Sequence, residues 1–203
     1  MLRSSKALVA LVLTAGAVLA GCTQKEPGDA TSAAPATGST TAPETSESPV
    51  DFPPRPADIK VDGIADACAT LTEDQQRELG IDAAHGQQMD VIEDREMPGC
   101  SFRANSRPLF SYEVTLISDE GAGYWQGGGN LDVVSKTVAG YGAVQVTLAG
   151  TSKADCALAV DVADGQQVFV SFLPVGDGFT QDEMCRNAAK GAEMVMTTLK
   201  TLK

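Results

Sequence analysis

Four cysteines, Cys68, Cys100, Cys156 and Cys185, restrict the fold of this chain more than any other feature. They contain no Cys-x-x-Cys step, and His85 is the sole histidine, so a zinc site is a poor reading of them. Read as disulfides they allow three connectivities. We expect Cys68 with Cys100 and Cys156 with Cys185, because each bond then closes a local connection between helix and sheet. Each closed loop of about 30 residues contributes roughly 3 to 4 kcal/mol in the chain-entropy model. Disulfides require an oxidising compartment. A fifth cysteine, Cys22, makes the count odd unless it is used in some other way.

Cys22 ends an apolar N-terminal stretch. Arg3 and Lys6 open the segment, Ala7 to Ala20 is interrupted only by Thr14 and Gly16, and small residues precede Cys22. That is the layout of a secretory leader. The run falls short of the roughly 20 apolar residues of a membrane span and has no basic flank after it. Leu19-Ala20-Gly21-Cys22 resembles the lipobox of bacterial lipoproteins. The resemblance implies that the Cys22 thiol is alkylated with diacylglycerol, that the leader is cut before it, and that Cys22 becomes the mature N-terminus. The four remaining cysteines are then even in number. Two or more acyl chains hold durably where one holds only marginally. The mature protein is therefore expected on the extracytoplasmic face of the cell membrane, anchored without spanning it.

The leader carries two of the 15 basic residues and none of the 27 acidic ones, leaving 13 against 27, a formal charge of −14. So acidic a chain disfavours nucleic acid, and anionic headgroups too, because both need basic patches. The expected division is a leader at 1–21, a lipidated cysteine and tether at 22–57, and one domain at 58–203. Seven of the ten prolines lie in the tether among Ser, Thr, Ala and Gly. Such a stretch buries too little apolar surface to offset its ordering entropy, and a flexible chain of that length spans on the order of 30 Å.

Within the domain, Thr72 and Gln75 form a capping box and Gly80 follows as a stop, which predicts a short helix. Gly99 to Ala104 is a candidate strand. Phe110, Tyr112, Val114 and Leu116 alternate with polar residues as a half-buried strand does, and Val144, Val146 and Leu148 repeat the pattern. Leu158, Val160 and Val162 connect through Asp164-Gly165 to Val168, Val170 and Phe172 as a β-hairpin. Thr180 and Glu183 cap the last and longest helix, whose apolar face is Met184, Ala188, Ala192, Val195, Leu199 and Leu202. Gly191 costs that helix about 1 kcal/mol relative to Ala. The order predicts an α+β domain: an antiparallel sheet with a short N-terminal helix and a long C-terminal helix packed on it, stapled by two disulfides. The second sheet face is then wet, covered by a loop, or used for binding.

Arg55-Pro56-Ala57-Asp58-Ile59, Asp66-Ala67-Cys68-Ala69-Thr70-Leu71-Thr72, Gly99-Cys100-Ser101-Phe102 and Ala139-Gly140-Tyr141-Gly142-Ala143 resemble the actinobacterial lipoprotein family called domain of unknown function 3558. Family members often carry Pro before the first of these cysteines and Trp two residues after the second, where Ala67 and Phe102 stand here. The resemblance implies a secreted, anchored, disulfide-bonded domain, distantly similar to extracellular sensor domains of actinobacterial serine/threonine kinases. It implies no catalytic residue.

The residues themselves point the same way. Triad chemistry needs a poised base, and His85, between Ala84 and Gly86, reads as a surface histidine in a loop. Asp90, Glu93, Asp94 and Glu96 lack the alternating pattern of a calcium loop and read as a solvated run. Gly127-Gly128-Gly129 lacks the spacing of a phosphate loop. No catalytic residue, metal or cofactor is expected. One pair stands out as a candidate contact for a ligand or partner: Tyr124 and Trp125, the only tryptophan, on a glycine-flanked segment that reads as a mobile binding loop. Its other reading is a plug packed onto the open sheet face. The expected function is a non-catalytic, sensor-like binding domain for an envelope protein or glycan. The alternative is a carrier of a small apolar ligand or lipid, which would need a closed apolar cavity of several hundred Å³.

Overall fold

The computed structural model describes residues 51–150 and 154–202. Seven strands form one antiparallel sheet: β1 (Ala83–Ile92), β2 (Arg95–Ala104), β3 (Phe110–Ile117), β4 (Leu131–Val138), β5 (Tyr141–Leu148), β6 (Cys156–Ala163) and β7 (Gln166–Pro174). Their spatial order is β1-β2-β3-β7-β6-β5-β4. Two helices accompany them, α1 (Glu73–Leu79) and α2 (Gln181–Leu199), with 3-10 turns at Ala67–Thr70 and Ala122–Gly127. This is the expected α+β arrangement. Both expected capping boxes form, Thr72 with Gln75 and Thr180 with Glu183. Gly80 closes α1 in the left-handed region.

Two strands were not expected. β1 and β4 are the sheet edges, with few buried side chains, so neither carries the alternation that marks a half-buried strand. His85 accordingly lies on β1 and not in a loop. In the acidic run, Glu93 and Asp94 form the β1–β2 turn, with Asp94 at φ 59°, while Asp90 and Glu96 extend into the strands on either side.

The sheet separates two apolar clusters. On one face α2 lies over β6 and β7, and Met184, Ala188, Val195 and Met196 meet Phe102, Tyr112, Leu158, Val170 and Phe172. Leu202, expected on the apolar face, falls beyond the helix end and is exposed. The second cluster, on the other face, gathers Met97, Ile117, Trp125, Val144, Val146 and Phe169.

Gly191 has a packing reason. A Cβ there would stand 2.8 Å from two ring carbons of buried Tyr112. Gly191→Ala therefore trades about 1 kcal/mol of helix propensity against an overpacking cost of about 1 to 3 kcal/mol. We expect a net loss of about 1 kcal/mol, a fall of roughly 3 °C in Tm by thermal melt. An increase in Tm would show that Tyr112 yields without strain.

The domain also begins earlier than residue 58. Phe52 and Pro53 pack over Gly142, where a Cβ would lie 2.7 Å from the Phe52 ring. Arg55 binds Asp161 at 2.7 Å, Asp58 at 2.9 Å, and Asp164. The Ile59 amide donates to the Val162 carbonyl at 2.8 Å. Residues 52–57, assigned above to the tether by composition, are thus part of the fold. One arginine serves three carboxylates, of which Asp161 and Asp164 are brought to it only by the tertiary structure.

Candidate functional site

Trp125 sits in the Ala122–Gly127 3-10 helix and is only 8% exposed. Its ring stacks on Phe169 of β7, centroids 4.5 Å apart, and its indole N–H donates to Gln167 Oε1 at 2.7 Å. Gln167 Nε2 donates in turn to the carbonyls of Glu120 and Gly121, at 3.2 and 3.0 Å. Of the two readings of this segment, mobile binding loop and plug, these contacts fit the plug: it is fastened at its entrance and its centre. The physical reason is the sheet face beneath it: Phe169, Val144 and Ala159 would otherwise meet water. Tyr124 stays 40% exposed, edge-on to Trp125. Of the triple glycine, Gly127 ends this turn and Gly128 leaves room for Leu131.

The 3-10 helix meets β4, β5, β6 and β7. On the β1–β2–β3 side, the same face has a different chemistry. Strand register aligns His85 with Ser101, Ser101 with Glu113, and Glu113 with Ser171. Directly paired residues point to the same face with Cβ atoms about 5 Å apart, so four hydrogen-bonding side chains form one row across β1, β2, β3 and β7. One pleat away on β2, Arg103 donates from Nε to Ser101 Oγ at 3.2 Å. One pleat away on β3 is Thr115, fully buried, whose hydroxyl has no hydrogen-bond partner among the described residues. Ser101 stands next to His85, but Glu113 lies on its far side, so the imidazole is not held between hydroxyl and carboxylate as a relay requires.

Burial raises the pKa of both Glu113 and the neighbouring Asp155. Arg103 partly offsets this at Glu113, and Asp155 adds to it. Neither carboxylate has a hydrogen-bond or ion-pair partner among the described residues. Sequence reading set Glu113 on the polar side of its strand and passed over Arg103 and Asp155; an acidic residue between Ser111 and Thr115, deep in a central strand, was the available signal. A carboxyl with a raised folded-state pKa stabilises the fold while protonated, below its unfolded value of about 4.3, and that contribution is lost as pH rises through the folded value. Glu113→Gln is therefore expected to raise Tm at pH 7, with the gain closing as pH falls toward 3. Melting curves over that range check it; a variant less stable at pH 7 contradicts it.

A third feature lies on the α2 face. Seven strands about 4.8 Å apart make a sheet too wide for one helix of about 10 Å diameter, so the strip over β4 and β5 is left as a groove beside α2. Its volume is about 440 Å³, and its walls carry Lys136 and Gln145 from the sheet and Asp182, Arg186 and Glu193 from α2. The groove is partly open to solvent and mixed in charge.

The disulfides tie this framework together. Cys68 in the first 3-10 turn bonds to Cys100 of β2, and Cys156 of β6 bonds to Cys185 of α2. The family model described as "Protein of unknown function (DUF3558)" matches residues 17–198. The chain belongs to the DUF3558 family. No curated protein and no solved structure matches it.

In this DUF3558 member the quoted motifs have structural jobs. Asp66 caps the first 3-10 turn by accepting from the Cys68 amide at 2.8 Å, and Thr70 Oγ1 donates to the Ala67 carbonyl at 2.6 Å. Ala139 and Gly140, both at positive φ, make the β4–β5 turn, and Tyr141 is buried behind it. Ser101 alone among the motif residues reaches the polar row. Cys22 lies outside the described residues. Among those described, no group of three or more His, Cys, Asp or Glu side chains could hold a metal ion, and no helix is long and apolar enough to cross a membrane.

Proposed function

We propose that this DUF3558 chain is a lipoprotein of the actinobacterial cell envelope, anchored through a lipidated Cys22 on the extracytoplasmic face of the membrane, whose domain recognises a partner and performs no catalysis. One observation carries the recognition reading: the space between sheet and α2 is filled. Phe102, Phe172, Met184 and Met196 are fully buried there, and Phe172 contacts Tyr112 and Phe179 at ring distances of 5.1 and 5.0 Å. A carrier needs an interior that encloses its cargo. What this domain offers instead are outward surfaces: the groove beside α2 and the polar half of the opposite face. The charge of −14 supports the anchor, because an acidic domain gains nothing from anionic headgroups.

Organic extraction of the purified domain followed by mass spectrometry is expected to return no stoichiometric lipid; a bound lipid would favour the carrier. Cys22→Ser is expected to move the protein from the membrane fraction to the soluble fraction of the producing cell. Retention at the membrane would overturn the anchor.

A further inference from the structure

Glu113 and Asp155 are the unexplained groups of this fold. Both are half-buried carboxylates, Glu113 in the polar row on β3 and Asp155 just before β6 and close enough to act on Glu113, and neither has a hydrogen-bond or ion-pair partner among the described residues. Burying a charge without a partner costs stability, and Gln or Asn would fill the same space without that cost. Around them stand donors. Arg103 is close enough to act on Glu113, Ser171 is paired with Glu113 across β3 and β7, and His85 sits exposed at the end of the row. A second, independent observation marks the place: the Thr115 hydroxyl, on the same face one pleat from Glu113, is buried and has no partner among the described residues. Beside it, glycine at position 99 leaves space that the Met89 side chain fills, its Cγ 2.3 Å from where a Cβ would stand. A methionine is an adaptable cover.

The chemistry of the set selects its ligand. An ammonium or a metal ion would satisfy two carboxylates but would face Arg103. An anion would satisfy Arg103 but would face two carboxylates. A neutral hydroxyl does both, since it donates to a carboxylate and accepts from a guanidinium or hydroxyl. We propose that this face is a glycan-binding site, in which sugar hydroxyls donate to the Glu113 and Asp155 carboxylates and accept from Arg103. The proposal rests on the recognition reading above and names its ligand class.

The test uses the Cys22→Ser chain on a printed array of uncharged hexose, pentose and N-acetylhexosamine oligosaccharides, with titration calorimetry on the strongest spot. Spermidine and inositol hexakisphosphate serve as cationic and anionic probes. Expected are binding to an uncharged oligosaccharide, at least tenfold weakening in Glu113→Gln/Asp155→Asn, and no binding of either charged probe. Folding of the double variant is verified by its melting curve. A blank array, glycan affinity unchanged in the double variant, or binding of spermidine or the phosphate in place of sugar would overturn the site. Capture of the same envelope protein by wild type and double variant, with a blank array, would remove the glycan site and leave the recognition reading standing.

Discussion

Trp125→Ala is expected to lower the stability of the domain by about 3 to 5 kcal/mol, the usual range for truncating a buried large aromatic. Three losses combine. The indole covers the apolar face formed by Phe169 and its neighbours and is only 8% exposed. Its stacking on Phe169 at 4.5 Å disappears. Gln167, fully buried, loses the donor to its Oε1, and a buried acceptor left unsatisfied costs about 1 to 3 kcal/mol by itself. Trp125→Phe separates these contributions, since it keeps an aromatic plug and removes only the indole N–H; about 1 to 2 kcal/mol of loss is expected from it. Denaturant unfolding of the three proteins at constant m checks both figures. If the alanine variant keeps the wild-type midpoint, Trp125 is not the plug of this face.

Cys156→Ala/Cys185→Ala is expected to cost about 3 to 4 kcal/mol, from the loop-closure entropy returned to the unfolded chain. The bond spans 29 residues of sequence and ties the start of β6 to α2. Without it, α2 is held to the sheet by side-chain packing and by one hydrogen bond nearby, from Gln181 Nε2 to the Asp155 carbonyl at 2.8 Å. Cys68→Ala/Cys100→Ala opens a loop of similar span, 32 residues, and has a similar expected effect. Removing both takes about 6 to 8 kcal/mol from a total that is about 5 to 15 kcal/mol for most domains. The fully reduced domain is thus expected at the edge of unfolding at 37 °C. Calorimetry with and without reductant tests this; a Tm shift under a few degrees on full reduction would mean that packing alone suffices.

Elements with a buried face were legible in the sequence. β3, β5, β6 and β7 each alternate or run apolar because one or both faces are covered, and α1 and α2 announce themselves by capping boxes that are purely local. The edge strands β1 and β4 were not legible, since an edge strand with exposed side chains leaves no periodic trace. The candidate site was hidden for a related reason. His85, Ser101, Glu113 and Ser171 are scattered over 87 positions, and only strand register sets them in one row. Arg55 is similar: it looks like part of a Pro-rich spacer until β6 and the β6–β7 turn bring Asp161 and Asp164 to it.

By itself, the sequence determined the α+β class, the caps and the β6–β7 turn, because periodicity, capping and turn chemistry act over a few residues. It also carried the apolar stretch ending at Cys22, from which the leader and the anchor are proposed. The tertiary structure alone decided that Trp125 packs onto the sheet face, that residues 52–57 pack on the domain, and that the half-buried carboxylates of Glu113 and Asp155, unpartnered among the described residues, come near one another. Those outcomes depend on which strands are neighbours, and in an antiparallel sheet of order β1-β2-β3-β7-β6-β5-β4 the deciding neighbours, β3 beside β7, lie far apart in sequence.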